Sequence, residues 1–134
     1  MIQRKEFYAT FEAIAEMMDF VDGMTKDLPE KAIYDLRLAS EEIVVNIVNY
    51  AYPTGDGRLA IAWNHDPESG TVIAEFEDSG VPFNPLGYPA PTLGVPIENR
   101  NIGGLGIMMV RKRMHDVRYR RAAGTNVLTI EYRS

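Results

Sequence analysis

The chain has 134 residues, of which 46% are hydrophobic and 25% charged, and this balance fits one globular domain with a core of its own. It contains no cysteine, which excludes disulfides and thiolate metal sites. The net charge of -5 argues against nucleic acid as a direct partner, and no apolar run reaches the roughly 18 residues of a membrane span. Because the first residues also lack the apolar segment of a signal peptide, we expect a cytoplasmic protein without membrane contact.

The first part of the chain predicts a short strand followed by two helices. The strand covers residues 2–8, and apolar residues at helical spacing predict a first helix over residues 10–25. A second helix is expected over residues 29–52, and its last turns are apolar enough to predict burial nearly all round. We expect Asp27 to cap this helix, with Glu30 completing a capping box.

The second part of the chain predicts two hairpins separated by a loop and a helix. In chain order the elements are strands 59–63 and 72–76, a loop over 79–104, a helix over 104–114, and strands 117–121 and 127–132. Grouped strands, rather than strict alternation with helices, predict an α+β fold. We expect a two-layer sandwich whose single mixed or antiparallel sheet is covered on one face by about three helices.

The loop over residues 79–104 holds five prolines, so neither a helix nor a central strand can occupy it. One interpretation is a linker between two domains. However, the roughly 30 residues beyond it are few for an independent core. We therefore predict a single domain over residues 1–134, in which this loop acts as a lid or binding loop.

The second helix carries polar residues on one face of its apolar C-terminal half. Glu42, Asn46 and Asn49 recur at i, i+4 and i+7, and such groups are costly to bury without partners. One interpretation is a structural polar network. The other is a site where the amide oxygen of Asn46 meets a hard cation and Glu42 accepts a proton. Mg²⁺ keeps several waters, so one amide oxygen with phosphate oxygens would suffice.

A second polar feature closes the strand over residues 72–76. Asp78 is in phase with Phe76, which predicts that its side chain points inward at the end of the sheet. An inward carboxylate there can accept a hydrogen bond from an exocyclic amine, such as that of adenine. Gly80 would let the backbone turn or a ligand approach closely. The alternative is an ordinary Asx turn, which this sequence also favours.

Glycines precede the third helix, in the segment Gly103-Gly104-Leu105-Gly106. Glycines at a helix N-terminus expose backbone N–H groups and allow a phosphate to approach. The segment lacks the Lys-Ser/Thr of a Walker A loop and the preceding strand of a Rossmann fingerprint, and a flexible hinge is the alternative. A basic cluster follows, which we interpret as a solvated face or as a patch for phosphate or an acidic partner: Arg111, Lys112, Arg113, Arg118, Arg120 and Arg121.

Together and in this order, these features resemble the GHKL (Bergerat-fold) ATPases, and within them the anti-sigma factor serine/threonine kinases. The matching stretches are residues 38–46, 76–85, 102–110 and Gly124-Thr125-Asn126 in the last hairpin. The likeness extends across nearly the whole chain and is weakest in the first helix.

The resemblance implies a role for each matching residue. It implies that Glu42 is the general base, that Asn46 is the Mg²⁺ ligand, and that Asp78 binds the adenine amine with Gly80 beneath the base. It also implies an ATP lid over residues 84–101. The further nucleotide contacts that it implies are Asn49, Arg100 at the γ-phosphate, Gly103, Gly104, Leu105, Gly106 and Thr125.

One departure concerns Asn49 and Tyr50, which stand where relatives often carry a basic residue and a histidine. Their presence removes one phosphate contact. The resemblance implies an ATP- and Mg²⁺-dependent kinase that phosphorylates a STAS-type anti-anti-sigma protein, and it leaves open a sigma factor as second partner and a homodimer. The alternatives are a nucleotide-gated binding module without catalysis, and an interaction protein that uses the basic cluster and no nucleotide.

Overall fold

The computed structural model describes residues 2–82, 84 and 104–134, with only the backbone described for residues 104–106. In chain order the elements are β1 Ile2–Tyr8, a 3₁₀ turn Phe11–Ala13, α1 Ile14–Thr25, α2 Glu30–Tyr50, β2 Arg58–Asp66, β3 Thr71–Asp78, α3 Gly104–Arg113, β4 Asp116–Ala122 and β5 Thr125–Arg133. This arrangement confirms the predicted α+β fold. No helix among the described residues is both long and apolar enough to cross a membrane.

The strands form one sheet in the order β1-β2-β3-β5-β4, and every neighbouring pair is antiparallel. Strict alternation along β3 buries one face and leaves the other partly exposed. The three helices cover the buried face, and their core side chains include Met17 of α1, Leu36 of α2 and Val110 of α3. The predicted two-layer sandwich is therefore confirmed.

The opposite face of the sheet carries charged side chains that pair across strands. Arg4 of β1 reaches Glu77 of β3 at 3.3 Å, and Arg120 of β4 reaches Glu75 of β3 at 3.6 Å. Arg118 also pairs, with Asp116 on its own strand. Much of the predicted basic cluster is thus neutralised within the fold, which supports its interpretation as a solvated face.

The predicted capping box of the second helix is wrong. Helix α2 begins at Glu30, Pro29 takes the N-cap position, and no side chain caps this end. A capping box requires the capping residue directly before the helix and the glutamate at the third helical position. Because the extended Pro29 (φ -59°, ψ 152°) sets the start, Glu30 is the first helical residue and Asp27 lies too early to cap.

The expected burial of α2 nearly all round its C-terminal half is also wrong. Ile43 and Val44 are buried, but Val45, Ile47 and Val48 are only half-buried. The helix packs its inner face on the core, and the side chains that turn away from it stay partly accessible. One of these, Ile47, borders a cavity between α2 and the sheet.

A buried carboxylate joins α2 to α3 and β5. Asp35, only 1% exposed, accepts hydrogen bonds from Lys31 Nζ at 2.7 Å, Tyr132 Oη at 3.0 Å and Arg113 Nη1 at 3.1 Å. Burial by itself raises the pKa of Asp35, but these three hydrogen bonds outweigh it and hold the pKa below its usual range. We call Asp35, Lys31, Arg113 and Tyr132 the Asp35 cluster.

Candidate functional site

A cavity lies between the C-terminal half of α2 and the ends of β3 and β5. The empty space between its walls is about 410 Å³, a figure that includes open solvent at its mouth. Its walls are apolar, formed by Ile43, Ile47, Ala51, Phe76, Ile107 and Leu128. Polar groups converge on it from the helix and the sheet, namely Asn46, Asp78, Tyr119 and Asn126. An apolar slot with a few converging polar groups is the usual form of a small-molecule site.

Asp78 is the carboxylate of this cavity, and it points inward as the strand phase predicts. It is 6% exposed, and its Oδ1 accepts hydrogen bonds from Gly80 N and Asn126 Nδ2, both at 2.9 Å. The bond from Gly80 is an Asx turn, which confirms that interpretation of this segment and leaves the contact of Asp78 with an amine as a prediction. The turn orients the carboxylate, and the carboxylate borders the cavity.

Glycine is required at position 80 because the protein's own backbone lies against this residue. A Cβ at this position would lie 2.1 Å from the carbonyl oxygen of Ala51, at the C-terminal end of α2. The next residue, Val81, donates its N–H to the same oxygen at 2.9 Å. The close approach that the sequence suggested is therefore an approach of the turn to the helix.

Asn46 lines the cavity with an amide that lacks a partner. Its Nδ2 is buried and finds no hydrogen-bond acceptor among the described residues. Buried amides are normally paired, so an unpaired one on a residue that lines a cavity is a candidate for contact with a ligand. Either orientation of the amide is compatible with this position, and with the oxygen turned inward Asn46 can coordinate a hard cation.

Glu42 and Asn49 lie on the same face of α2 as Asn46, as the helical spacing predicts. Glu42 is half-buried, one turn before Asn46, and makes no ion pair or hydrogen bond with the residues that the structure describes. Asn49 is exposed and does not line the cavity. The structure thus brings Asn46 to the cavity and leaves Glu42 beside it.

Helix α3 begins close to the cavity. Gly104, Leu105 and Gly106 form its first turn, and the next residue, Ile107, lines the cavity wall. The first N–H groups of a helix have no partner within it and favour anions. Arg100, Gly103 and the predicted lid beyond Asn84 lie outside the described residues.

Thr125 does not line the cavity, and its expected position near the nucleotide stays a prediction. It borders a groove on the charged face of the sheet, together with Arg4 and Glu77. Successive strand residues point to opposite faces, so the next residue, Asn126, faces the cavity instead. Asn126 belongs to the matching stretch Gly124-Thr125-Asn126, but the resemblance assigns it no role. Its register opposite Asp78 could have revealed it once β3 and β5 were known to pair.

The described residues contain no group of three histidines or carboxylates placed to hold a metal ion. A divalent cation at this site would rest on Asn46 and on oxygen atoms of the ligand. Chemically, the arrangement offers an apolar slot lined by a hydrogen-bond acceptor, Asp78, and by the amide of Asn46. The N-terminus of α3 lies close by, and this combination suits a flat ring carrying an amine and an anionic tail.

Comparison with known proteins gives a family. Residues 7–132 match the histidine kinase-like ATPase domain. The serine/threonine-protein kinase BtrW of Bordetella bronchiseptica is 29% identical over 97 residues, which are 72% of this chain and 68% of BtrW. The serine-protein kinase RsbW of Bacillus cereus is 26% identical over 102 residues, and these cover 75% of this chain and 64% of RsbW.

Solved structures show the same fold. The structure of the RsbU and RsbW domains of Rv1364c from Mycobacterium tuberculosis superposes with a TM-score of 0.70 at 19% identity. It matches 99% of this chain but 32% of that chain. The histidine kinase domain of a blue-light activated kinase from Erythrobacter litoralis gives a TM-score of 0.55 at 11% identity, over 90% of this chain and 63% of its own.

Proposed function

Because this chain belongs to the histidine kinase-like ATPase family, we propose that it binds ATP with Mg²⁺ and phosphorylates a serine or threonine of a partner protein. The observation that carries this proposal is the apolar cavity that both the Asp78 carboxylate and Asn46, whose amide nitrogen is unpartnered, help to line. The names of the relatives, which are serine kinases, support the transfer of phosphate to protein.

The cavity end at Asp78 would take the adenine base. An ionised carboxylate only accepts hydrogen bonds, so the group facing it must donate, as the amine of adenine does. The apolar side chains of Ile47, Phe76 and Leu128 would then border the ring. Gly80 supports this end by seating the Asp78 turn on α2, and its position beneath the base remains part of the proposal.

The phosphates would extend toward α2 and the start of α3. The free N–H groups of the turn Gly104–Gly106 favour phosphate oxygens, as the glycine segment predicts. Asn46 would hold Mg²⁺ through its amide oxygen, with the phosphates and water as the other ligands. When bound, the cation neutralises charge on the phosphates, which is most of what phosphoryl transfer requires beyond positioning. Arg100 and Gly103 remain proposed contacts on the basis of the family resemblance.

Glu42 would act as the general base. It lies one helical turn from Asn46, where side chains are roughly 6 Å apart, and its half-buried carboxylate is accessible to a partner protein. The attacking serine oxygen bonds to the γ-phosphorus, the bond to the β-phosphate oxygen breaks, and the hydroxyl proton passes to the carboxylate. ADP and a phosphorylated partner are the products.

The family resemblance supports a STAS-type anti-anti-sigma protein as the phosphorylated partner. A sigma factor as second partner, a homodimer and a cytoplasmic location belong to the same proposal. The chain spans about two thirds of the length of the curated relatives that it matches.

Phosphate transfer tests this function directly. We expect the purified chain to transfer the γ-phosphate of ATP to a cognate STAS-domain protein. Glu42→Ala should lose at least about 100-fold in rate while its ATP affinity stays within about twofold, since a general base acts on the transfer step. Glu41→Ala is the matched control, because Glu41 is the neighbouring carboxylate and is exposed.

Undiminished transfer by the Glu42 variant would contradict its catalytic role. ATP binding by the wild type without transfer to any STAS-domain protein would instead favour a nucleotide-gated binding module. One observation favours that second function: Asn49, which replaces a basic residue of relatives, lies outside the cavity and supplies no phosphate contact there.

A further inference from the structure

Asn126 is a buried amide whose hydrogen bonds all run to the protein. It is 4% exposed and lies on β5 directly opposite Asp78. Its Nδ2 donates to Asp78 Oδ1 and to the carbonyl oxygen of Val81, both at 2.9 Å. Its Oδ1 accepts from Tyr119 Oη at 2.5 Å and from Arg121 Nη1 at 3.0 Å.

These four bonds use the whole capacity of the amide, which has two donor hydrogens and two acceptor lone pairs. They also determine its orientation. A carboxylate and a carbonyl can only accept, and a guanidinium can only donate, so turning the amide over would break both sets of bonds. Asn126 therefore has no hydrogen-bonding group left for a ligand, although it borders the cavity.

The amide instead holds the Asp78 turn. Arg121 donates from the same Nη1 to the carbonyl oxygen of Gly80 at 3.0 Å, so β4 and β5 fix this turn on one side. On the other side, the carbonyl of Ala51 accepts the N–H of Val81. Both hydrogen bonds to the carboxylate converge on Asp78 Oδ1, and no described residue donates to Oδ2.

We propose that Asn126 is a positioning residue that locks the Asp78 carboxylate by one oxygen and leaves the other as a fixed acceptor in the cavity. It thereby sets the preference for a purine nucleotide with an amine, rather than a carbonyl, at the position facing Asp78. The inference rests on the proposed function and extends it to the source of base specificity.

The physical reason lies in what a free carboxylate could do. An acceptor that is fixed in place accepts a hydrogen bond from an amine. When a carbonyl takes the place of the amine, two acceptors face each other and a buried hydrogen bond is left unmade, which lowers the binding free energy. A carboxylate released from Asn126 can rotate away from a carbonyl or take up water. Loss of the lock therefore weakens binding of the amine, whereas for the carbonyl compound the relief of this penalty offsets the general loss of order at the site.

The test compares ATP with inosine triphosphate, which has a carbonyl in place of the amine, by calorimetric titration in Mg²⁺. We expect the wild type to prefer ATP by about 100-fold, which is the effect of an unmade buried hydrogen bond together with two facing acceptors. Asn126→Leu should lose about tenfold in ATP affinity and change its affinity for inosine triphosphate by less than about twofold. The preference thus falls about tenfold.

A second variant covers the case in which Asn126→Leu does not fold. Tyr119→Phe keeps the amide and removes one donor to it, and we expect it to lower the preference about threefold. Tyr132→Phe is the matched control: it deletes a buried phenol hydroxyl from β5, at the Asp35 cluster, and should leave the preference unchanged.

Four outcomes would count against these assignments. Equal losses for the two nucleotides in Asn126→Leu, or an unaltered preference in Tyr119→Phe, overturn the inference and leave Asn126 a purely structural residue. A wild type that binds ATP without preferring it to inosine triphosphate overturns the role of Asp78 along with the inference. A wild type that binds neither nucleotide overturns the proposed function itself.

Discussion

Gly80 shows how one missing side chain can serve a site without touching its ligand. The carbonyl of Ala51 occupies the place of a Cβ at this position, so the turn after β3 can rest directly on the end of α2. Glycine is required here by close approach, since its φ is not among the positive values found at the turn glycines.

We predict that Gly80→Ala destabilises the protein by about 3 kcal/mol, because the new methyl group must push the turn away from backbone atoms that cannot rotate aside. Urea unfolding measures the change. Gly23→Ala is the control: Gly23 lies within α1 with open space at its Cβ position, and alanine there should stabilise by up to about 1 kcal/mol. Equal stability of the two variants would contradict the packing argument.

At the scale of residues, the sequence predicted the orientation of single side chains wherever the strand or helix repeat determines it. Asp78 follows the alternation of its strand, and Glu42, Asn46 and Asn49 follow the helical repeat, so their faces could be read directly. Asn126 could not be assigned, because its partners lie 45 or more residues away on other elements, apart from Tyr119 and Arg121.

At the scale of elements, the Asp35 cluster ties α3 to the rest of the helical layer. Arg113, the last residue of α3, reaches across to Asp35 of α2, while Tyr132 brings in β5. The guanidinium of Arg113 also lies over the ring of Tyr34, 5.3 Å from its centroid. The helix that begins with the glycine turn is thus held at its far end by a buried charge.

We predict that Asp35→Asn lowers the free energy of unfolding by about 2 kcal/mol at neutral pH, through the loss of charge-assisted hydrogen bonds. The pKa of Asp35 is lowered in the folded state, so its contribution is complete above the unfolded pKa and disappears as the pH falls through the folded value. The difference between wild type and variant should therefore shrink below about pH 4.

Denaturant unfolding at pH 7 and across the acid range measures this difference. Asp56→Asn serves as control, because Asp56 is an exposed carboxylate in the turn before β2. A difference between wild type and Asp35→Asn that stays constant from pH 7 to below about pH 3 would refute the assignment.

The elements themselves were largely predictable, because periods of two and 3.6 residues are properties of local sequence. The start of α2 was not predictable, because both Asp27 and Pro29 could begin a helix. The backbone conformation of Pro29 determines which of them does. The burial of the end of α2 was overestimated for a related reason. Apolar composition does not reveal that one side of a helix borders a cavity.

At the scale of the whole molecule, ligand binding should appear as stability. We predict that Mg·ATP at about 100 times its dissociation constant raises the free energy of unfolding by about 2.7 kcal/mol, or the melting temperature by roughly 10 °C. Asp78→Asn should lose most of this shift, because it exchanges a pure acceptor for a group that can also donate.

Asp66→Asn is the matched control for thermal melting, because Asp66 accepts a backbone N–H two residues on at the other end of the β2-β3 hairpin, as Asp78 does. Its shift with Mg·ATP should equal that of the wild type. No shift in the wild type at millimolar Mg·ATP would leave the chain an interaction protein that needs no nucleotide.

The hydrogen bond from Val81 to Ala51 also affects which ligands the site can select. It joins the turn carrying Asp78 to the end of the helix carrying Asn46, so these two polar groups are connected through backbone rather than through side chains that can rotate. Their separation is therefore constrained before any ligand arrives. A ligand that contacts both groups has to match this separation, and less of its binding free energy is lost in ordering them.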